Sequence, residues 1–350
     1  MGSLLDVTRT LGVGKMLESR KAKQLAWEGL ISSHFVTRCF QTLLNVGLLE
    51  EMAQRGVVDA ADFAEKHGLD SGLVVAICDA LFARGLLRKE GPSRFGLEQR
   101  AEFLVTNPLS RGWFYLANGY ENVLFHMEDL VRKKMKYGAD LVRDGRLVGV
   151  GSGLASRDFY FPVVLEKIAH SGYRRVLDIG CGDGEFLRLV CKRFPQATAV
   201  GLDLSPDAVK AGNEQIRAEG LSNRIQLHVG DALRLPEYKD VLQCVDAAAT
   251  FFVLHEFCGG PGNPRAVGFL KAFRAALPGV PFLICETVRP PAEEMRQRPG
   301  PAIEYFLFHD LSNQKPVGRD VWKQLFAEAG FKNVAEDYLS FARTAIFTIR

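Results

Sequence analysis

Apolar and polar residues follow a helical period over the first part of the chain. In residues 35–44 and 58–69 apolar side chains recur every three or four positions, and a glycine lies near the end of each run. Asp70 precedes a third run, Ser71–Ala83, and is placed to cap it. Residues 86–97 indicate two short strands around a turn. Three helices followed by a hairpin predict a winged-helix pattern for residues 1–110.

From residue 161 onward, short apolar runs alternate with amphipathic ones. This alternation predicts an α/β domain with a mainly parallel sheet and helices on both of its faces. Strands are predicted at 174–179, 198–203, 225–229, 244–250, 281–286 and, as a pair, within 333–349. Helices are predicted at 184–194, 206–219, 264–276 and 319–329. The expected organisation is therefore a helical domain at 1–110, a helical linker covering the active site at 111–160, and a catalytic domain at 161–350.

Composition narrows the class of protein. The 350 residues suffice for two domains or one elaborated domain, and a hydrophobic content of 47% allows a substantial core. Net charge is +3, from 44 basic and 41 acidic residues, which does not by itself indicate nucleic acid. No apolar run reaches the ~18 residues of a membrane span, and no signal peptide is evident. Together with seven scattered cysteines, none in a Cys-x-x-Cys pair, this predicts a cytoplasmic protein without a membrane partner.

The third apolar run, Ser71–Ala83, occupies the place where a winged helix would contact DNA. It has no lysine or arginine and contains Asp79, whereas a DNA-reading helix offers cations to phosphates and polar groups to bases. Nucleic acid is therefore not an expected partner. So apolar a helix suits packing against another subunit, which predicts that this domain dimerises.

The strongest chemical signal is a glycine-rich turn between a strand and a helix. The apolar strand Val176–Ile179 runs into Gly180, Gly182 and Gly184, and a helical run begins at Glu185. Glycines let the backbone approach a bulky ligand, because no Cβ stands in the way. The turn also lies at the carboxyl end of a strand, where open α/β sheets bind ligands.

Three aspartates accompany this turn. Asp178 lies on the strand itself, where a cationic amine or sulfonium would favour an acid nearby. Asp203 ends the next strand and is placed to bond ribose hydroxyls. Asp231 follows the third strand and suits an adenine amino group. These pieces together indicate a nucleoside-containing ligand with a positive charge.

The motif Asp-x-Gly-x-Gly-x-Gly, the strand-end aspartate and Gly-Asp-Ala, in this order, resemble the class I S-adenosylmethionine (SAM) methyltransferases. A nicotinamide dehydrogenase is the alternative, but its fingerprint is Gly-x-Gly-x-x-Gly. The resemblance implies a Rossmann-like SAM-binding domain, with Asp178 beside the methionine part, Asp203 at the ribose and Asp231 at the adenine. The residues expected at the cofactor are Asp178, Gly180, Gly182, Gly184, Asp203, Leu204, Gly230, Asp231, Ala232 and Thr250.

A second set of motifs resembles the small-molecule O-methyltransferases of plants and of bacterial natural-product pathways. Their catalytic segment is similar to Leu254–Phe257, followed by Ala-Leu-Pro and by a strand that ends at Glu286. The resemblance places His255 at the position of the catalytic base, with Glu286 orienting it. It also implies a homodimer through the winged-helix domain. A second supporting acid of the family has no counterpart in residues 314–320.

His309 departs from that family, because it stands just before the usual Asp-Leu. A pair of histidines at this spacing resembles the bacterial 2-oxo acid C-methyltransferases, which methylate C3 of phenylpyruvate or branched aliphatic 2-oxo acids for peptide antibiotics. The resemblance implies that His255 and His309 are catalytic and bind a divalent metal ion, Fe or Zn. Asp310 or Glu256 would then fix the ring tautomers. Alternatively, His309 could be a structural histidine bonded to a carbonyl.

Three functions follow from these patterns. The preferred one is metal-dependent C-methylation of a 2-oxo acid, whose carboxylate would need a cation. Four arginines are candidates for that role: Arg132, Arg143, Arg157 and Arg319. The second function is metal-independent O-methylation of a small-molecule hydroxyl with His255 as base, and the third is a SAM-binding winged-helix regulator.

Overall fold

The structure is a computed structural model that describes residues 10–297 and 303–350. The chain divides into two compact units, the first ending at Phe114 and the second spanning Tyr115–Arg350. Among the described helices, none combines the length and the apolar character that crossing a bilayer requires.

The first unit consists of helices around a small antiparallel sheet. Its elements are α1 (Val13–Ala22), a π-helical stretch (Lys23–Ile31), α2 (Ser32–Asn45), α3 (Leu48–Arg55), β1 (Val57–Asp59), α4 (Ala60–Lys66), α5 (Ser71–Phe82), β2 (Leu87–Lys89), β3 (Arg94–Leu97), α6 (Gln99–Thr106) and α7 (Pro108–Gly119), which continues into the second unit. The strand order is β1-β3-β2. Asp59 and Asp70 cap α4 and α5 by accepting backbone N–H groups, as such residues do at helix starts.

The second unit alternates helices and strands. Its elements are α8 (Glu121–Phe125), α9 (Met127–Val131), α10 (Gly145–Arg157), α11 (Tyr160–Ser171), β4 (Arg175–Ile179), α12 (Glu185–Arg193), β5 (Thr198–Asp203), α13 (Pro206–Ala218), β6 (Ile225–Val229), β7 (Ala247–Phe251), α14 (Pro264–Ala276), β8 (Phe282–Thr287), α15 (Ala292–Gln297), α16 (Ile303–Leu311), α17 (Arg319–Glu328), β9 (Val334–Leu339) and β10 (Thr344–Ile349). Short 3-10 helices cover Ala232–Tyr238 and Leu254–Phe257.

One sheet organises this unit, with the strand order β6-β5-β4-β7-β8-β10-β9. Strands β4 to β8 pair in parallel, and β10 runs antiparallel to both of its neighbours. The sequence order reverses between β4 and β7, and ligands of open α/β sheets bind at such a switch point. The predicted mainly parallel, doubly wound α/β fold is therefore confirmed.

Three local differences from the predicted elements have physical causes. The strand expected at 244–250 begins only at Ala247, because Cys244 has a φ of 61°, which strand backbone does not adopt. The segment Arg132–Lys136, which lies within the linker predicted to be helical, is an exposed turn after α9 with Lys133 at a φ of 57°. Helix α16 was not predicted at all.

Candidate active site

The turn after β4 is built from backbone that only glycine adopts easily. Gly180, Gly182 and Gly184 have φ values of 76°, 55° and 73°. A Cβ on Gly180 would also come within 2.4 Å of a methyl carbon of Val253. Both constraints favour glycine here. Because glycine has no Cβ, the backbone at the carboxyl end of β4 stays accessible at the switch point.

Asp203 connects this turn to the neighbouring strand. Its Oδ2 accepts the Gly182 N–H at 2.8 Å, and its Oδ1 accepts the Ser205 N–H at 2.8 Å. The carboxylate is thus fixed by backbone donors at the end of β5. This is the arrangement expected of an acid that presents its remaining lone pairs to ribose hydroxyls.

Asp178 is a buried acid, and no positively charged group lies beside it in the described structure to balance its negative charge. The residue is only 2% exposed, and its Oδ1 has no hydrogen-bond partner within the described residues. Burial, and then the negative charge of Asp203, raise the pKa of Asp178 well above its ordinary range. A cationic ligand beside Asp178 would relieve both effects, so the site fits the sulfonium and amino groups of SAM.

The remaining residues expected at the cofactor differ in what they can do. The Gly230 N–H donates to the Asp203 carbonyl at 2.8 Å, and the Asp231 Oδ1 accepts the Leu233 N–H at 2.9 Å. Leu204 is 68% exposed, whereas Ala232 is buried. The Thr250 hydroxyl is buried and donates to the Ile179 carbonyl at 2.8 Å, so this side chain supports β4 and points away from open space.

His255 lies in the 3-10 helix after β7 and is held by Glu286 at the end of β8. Both side chains are buried. Glu286 Oε2 lies 2.8 Å from His255 Nδ1, and Oε1 accepts the backbone N–H groups of Leu254 and His255 at 2.6 and 3.2 Å. Because a carboxylate accepts, the proton belongs on Nδ1, and the lone pair stays on Nε2.

His309 lies on α16 and is also buried. Its Nδ1 lies 2.6 Å from the carbonyl oxygen of Tyr305, which can only accept, so Nδ1 carries the proton here too. Burial, and then the neighbouring His255, lower the pKa of His309 to about 2. The ring is therefore neutral at physiological pH. A hydrogen bond to a carbonyl is what the sequence analysis expected if His309 were only structural. This bond uses Nδ1, however, and Nε2 has no hydrogen bond within the described residues.

The two imidazoles come together, as the sequence predicted. Their ring centroids are 4.7 Å apart, at an interplanar angle of 77°. Each ring has its Nδ1 bonded and its Nε2 lone pair retained, which is how metal-binding histidines are oriented. Within residues 10–297 and 303–350, no group of three or more His, Cys, Asp or Glu could hold a metal ion. The donor set therefore fits a metal only if other oxygens, such as those of a substrate, complete its coordination.

Arg143 is the candidate arginine that lies beside the histidines. Its guanidinium donates to the Gln314 Oε1 at 2.6 Å, the Tyr120 Oη at 3.0 Å and the Glu256 Oε1 at 2.6 Å. The Tyr120 ring is 5.9 Å from that of His309. The other three arginines form ion pairs elsewhere: Arg132 with Glu128, Arg157 with Glu185 and Arg319 with Glu336.

The expected tautomer-fixing roles of Asp310 and Glu256 are not found. Asp310 pairs with Arg289 at 2.7 Å, and Glu256 pairs with Arg143. Glu286 and the Tyr305 carbonyl hold the rings instead, because they face the Nδ1 atoms directly. Sequence reasoning missed Tyr120 and Tyr305 entirely, since aromatic residues carry no spacing signal that separates a site from a core.

Known methyltransferases resemble this chain in sequence. A family model described as a methyltransferase domain matches residues 176–271. The 2-ketoarginine methyltransferase of Streptomyces arginensis is 29% identical over 303 residues, 83% of this chain and 84% of that protein. The indolepyruvate C-methyltransferase of Streptomyces griseus is 29% identical over 232 residues, 64% of each chain. The ubiquinone/menaquinone biosynthesis C-methyltransferase UbiE of Dinoroseobacter shibae is 37% identical over 193 residues, 53% of this chain and 70% of that protein.

A solved structure shows the same fold. The mitomycin 7-O-methyltransferase MmcR aligns with a TM-score of 0.69 and 17% identity, covering 95% of this chain and 99% of its own. The chain belongs to the class I SAM-dependent methyltransferases, with the fold of the small-molecule O-methyltransferases. It is an enzyme, and SAM is its methyl donor.

Proposed function

We propose that this methyltransferase transfers the methyl group of SAM to C3 of a 2-oxo acid in natural-product biosynthesis. The observation that carries the proposal is the pair of buried imidazoles, His255 and His309, whose Nδ1 atoms are both hydrogen-bonded and whose ring centroids are 4.7 Å apart. An O-methyltransferase base needs one such ring, and the second has no role in that reaction. Two of the relatives described above are named for 2-oxo acids, 2-ketoarginine and indolepyruvate.

The histidine pair would hold a divalent ion, Fe or Zn, together with the carboxylate and keto oxygens of the substrate. Such an ion, when bound, polarises the keto group and so acidifies the C3 hydrogens. Glu286 and the Tyr305 carbonyl keep each ring in the tautomer that this requires. In the overall reaction a C3–H bond breaks and its proton passes to solvent, C3 bonds to the methyl carbon, and the bond from that carbon to the sulfonium of SAM breaks, which leaves a neutral thioether.

Arg143 is our choice for the cation that binds the substrate carboxylate. It is mostly buried, with a side-chain exposure of 18%, and its guanidinium forms a fork that suits a carboxylate. In the free enzyme Glu256, Gln314 and Tyr120 occupy its donors. Glu256 is more exposed than Arg143 and is the partner that an incoming carboxylate could displace.

Metal-independent O-methylation remains a second candidate because of the His255–Glu286 pair. A buried carboxylate 2.8 Å from Nδ1 makes Nε2 a competent general base for a hydroxyl proton. His309 has no role in this O-methylation reaction. The two candidate functions therefore differ in whether His309 and a metal contribute to catalysis.

The test is to remove the metal and to replace His309. Chelator-treated enzyme is incubated with SAM and either 4-methyl-2-oxovalerate or phenylpyruvate, before and after Fe²⁺ or Zn²⁺ is added back. We expect activity to depend on the metal, and His309→Ala to lower kcat/KM by at least about a hundredfold, because a ligand is lost. His126→Ala, which removes a half-exposed histidine paired with Asp129, is the matched control. Activity that ignores chelator and survives His309→Ala would exclude C-methylation by this mechanism.

We also propose that the enzyme is a homodimer through its first unit. From Val13 to Ile31 the helix has no buried residue, yet it carries Leu17, Leu25, Trp27 and Leu30 at exposures of 62%, 61%, 52% and 75%. A helix that buries so little of its surface is only marginally stable in water, and exposed apolar surface of this kind marks interfaces. A second copy of the chain is the partner that would bury it.

Sedimentation velocity would measure this association. The wild-type chain should sediment as a dimer, and Trp27→Glu with Leu30→Glu should shift it toward the monomer. Val131→Glu, which places a charge at a similarly exposed position of the second unit, should leave the dimer intact. A monomeric wild-type protein, or a double variant that stays dimeric, would contradict the proposal.

A further inference from the structure

The carboxyl end of β8 carries a second charged residue beyond Glu286, namely Arg289. Its Nη2 donates to the Phe306 carbonyl at 3.0 Å and to the Asp310 Oδ2 at 2.7 Å. The guanidinium carbon also lies 5.1 Å from the centroid of the Phe306 ring. All three contacts fall on α16, and His309 lies between Phe306 and Asp310 in the sequence.

Helix α16 is attached through ring contacts, such as the stacking of Phe308 on Tyr120, as well as through Arg289. It is nine residues long, and of its side chains only Phe306 and His309 are buried, while Ile303 and Leu307 are exposed. Helices of this length are not stable in isolation and depend on tertiary contacts. The Arg289 and Asp310 side chains are 29% and 42% exposed, so solvent partly screens their ion pair, and the bond to the Phe306 carbonyl gives Arg289 a second contact with α16.

We infer that Arg289 is a positioning residue that fixes α16, and thereby the separation of the two histidine rings. The effects that we expect on metal and substrate binding rest on the proposed function. The same strand end would hold both rings: Glu286 bonds to His255 directly, and Arg289 holds the helix of His309. A shift of α16 by a fraction of an ångström would spoil a shared ligand site, because catalytic constellations tolerate little displacement.

Two measurements on Arg289→Met test the inference. The first is hydrogen–deuterium exchange of the α16 amides, which needs neither metal nor substrate. The second is titration of the enzyme with Co²⁺ alone, followed by its visible d–d absorption. We expect faster exchange confined to Ile303–Leu311, about tenfold weaker Co²⁺ binding, and unchanged affinity for S-adenosylhomocysteine (SAH).

Arg319→Met is a closely matched control. Arg319 also pairs with an acid, Glu336 at 2.6 Å, and lies 4.4 Å from the centroid of an aromatic ring, Tyr338, but it has no contact with α16. It should change neither the exchange of α16 nor Co²⁺ binding. Arg289→Lys should recover part of the loss, because an ammonium retains the charge and a donor nitrogen but not the planar guanidinium beside the Phe306 ring.

The outcomes separate this inference from the proposed function. Wild-type exchange in α16 together with wild-type Co²⁺ affinity in Arg289→Met would overturn the role of Arg289. If the wild type binds no Co²⁺ but Arg289→Met still loosens α16, the metal proposal fails and the positioning role stands. If Arg289→Met loses SAH binding through unfolding, Asp310→Asn removes the same pair from the other side, and an unchanged α16 in that variant would overturn the inference.

Discussion

At the scale of single residues, we propose that the buried acid Asp178 lets the chain select a charged methyl donor. Within the described residues one oxygen of this carboxyl has no hydrogen-bond partner, its pKa is raised, and Asp203 lies nearby with the same charge. Both features cost free energy in the empty site, and a sulfonium cation offsets that cost. After methyl transfer the sulfonium is gone, so the same acid favours release of the neutral thioether.

Asp178→Asn should therefore weaken SAM binding more than SAH binding. The two ligands differ by one positive charge, so we expect the ratio of their Kd values to change by about tenfold, or ~1.4 kcal/mol. Isothermal titration of both ligands measures the ratio, and Asp207→Asn on the exposed start of α13 is the control. Lower pH should act in the same direction, since protonation of Asp178 removes its charge. An equal loss for both ligands would show that Asp178 does not sense the sulfonium.

The sequence identified some site residues and could not identify others. His255, Glu286 and the glycines stand in local motifs whose spacing is fixed by a turn or a strand end. Arg143 stands in no such motif and could be named only as one of four candidate arginines, because its partners Glu256 and Gln314 are 113 and 171 residues away in the chain. Only the folded sheet and its helices bring these groups together.

At the scale of elements, the strands were predicted within a few residues because buried parallel strands form continuous apolar runs. Helix α16 was not predicted from the sequence, because Tyr305, Phe306 and Phe308 make a short aromatic run that fits a strand as well as a helix. Its identity is set by tertiary contacts, among them the stacking of Phe308 on Tyr120 at 5.0 Å. The bounds of helix α10 were not predicted either, because several glycines interrupt its pattern of apolar residues.

Helix α13 offers a direct test of how an element supports the cofactor turn. A Cβ on Gly212 would lie 2.4 Å from the Asp183 carbonyl oxygen and 2.6 Å from a Leu227 methyl carbon. Gly212→Ala should lower the free energy of unfolding by about 1–3 kcal/mol and weaken SAH binding, because the turn must move.

The matched control is Gly268→Ala in α14, where a Cβ would meet nothing within 4 Å. This change should stabilise the protein by about 0.5–1 kcal/mol through helix propensity alone. Urea denaturation compares the two variants. If both substitutions changed the free energy of unfolding equally, the contact between α13 and the turn would not be the reason for glycine at position 212.

At the scale of the whole molecule, the chain combines a methyltransferase unit with a first unit whose leading helix leaves apolar residues uncovered. The class of enzyme follows from sequence similarity to known methyltransferases, and the fold is shared with MmcR. The reaction that we propose depends on much less of the chain: two histidines, the groups that hold their Nδ1 atoms, and one arginine. The family could therefore be predicted from motifs, whereas the proposed reaction rests on a few contacts.

The position of the transferred methyl group tests the central claim most directly. The enzyme, supplied with Fe²⁺, is incubated with SAM carrying a ¹³C-labelled methyl group and with phenylpyruvate, and the product is analysed by NMR. We predict a methyl signal coupled to the C3 proton of a 3-methyl-2-oxo acid, and no signal at the chemical shift of a methoxy group. A labelled methoxy group, from this substrate or from a phenolic one tested in parallel, without any C3-methylated product would contradict the proposal.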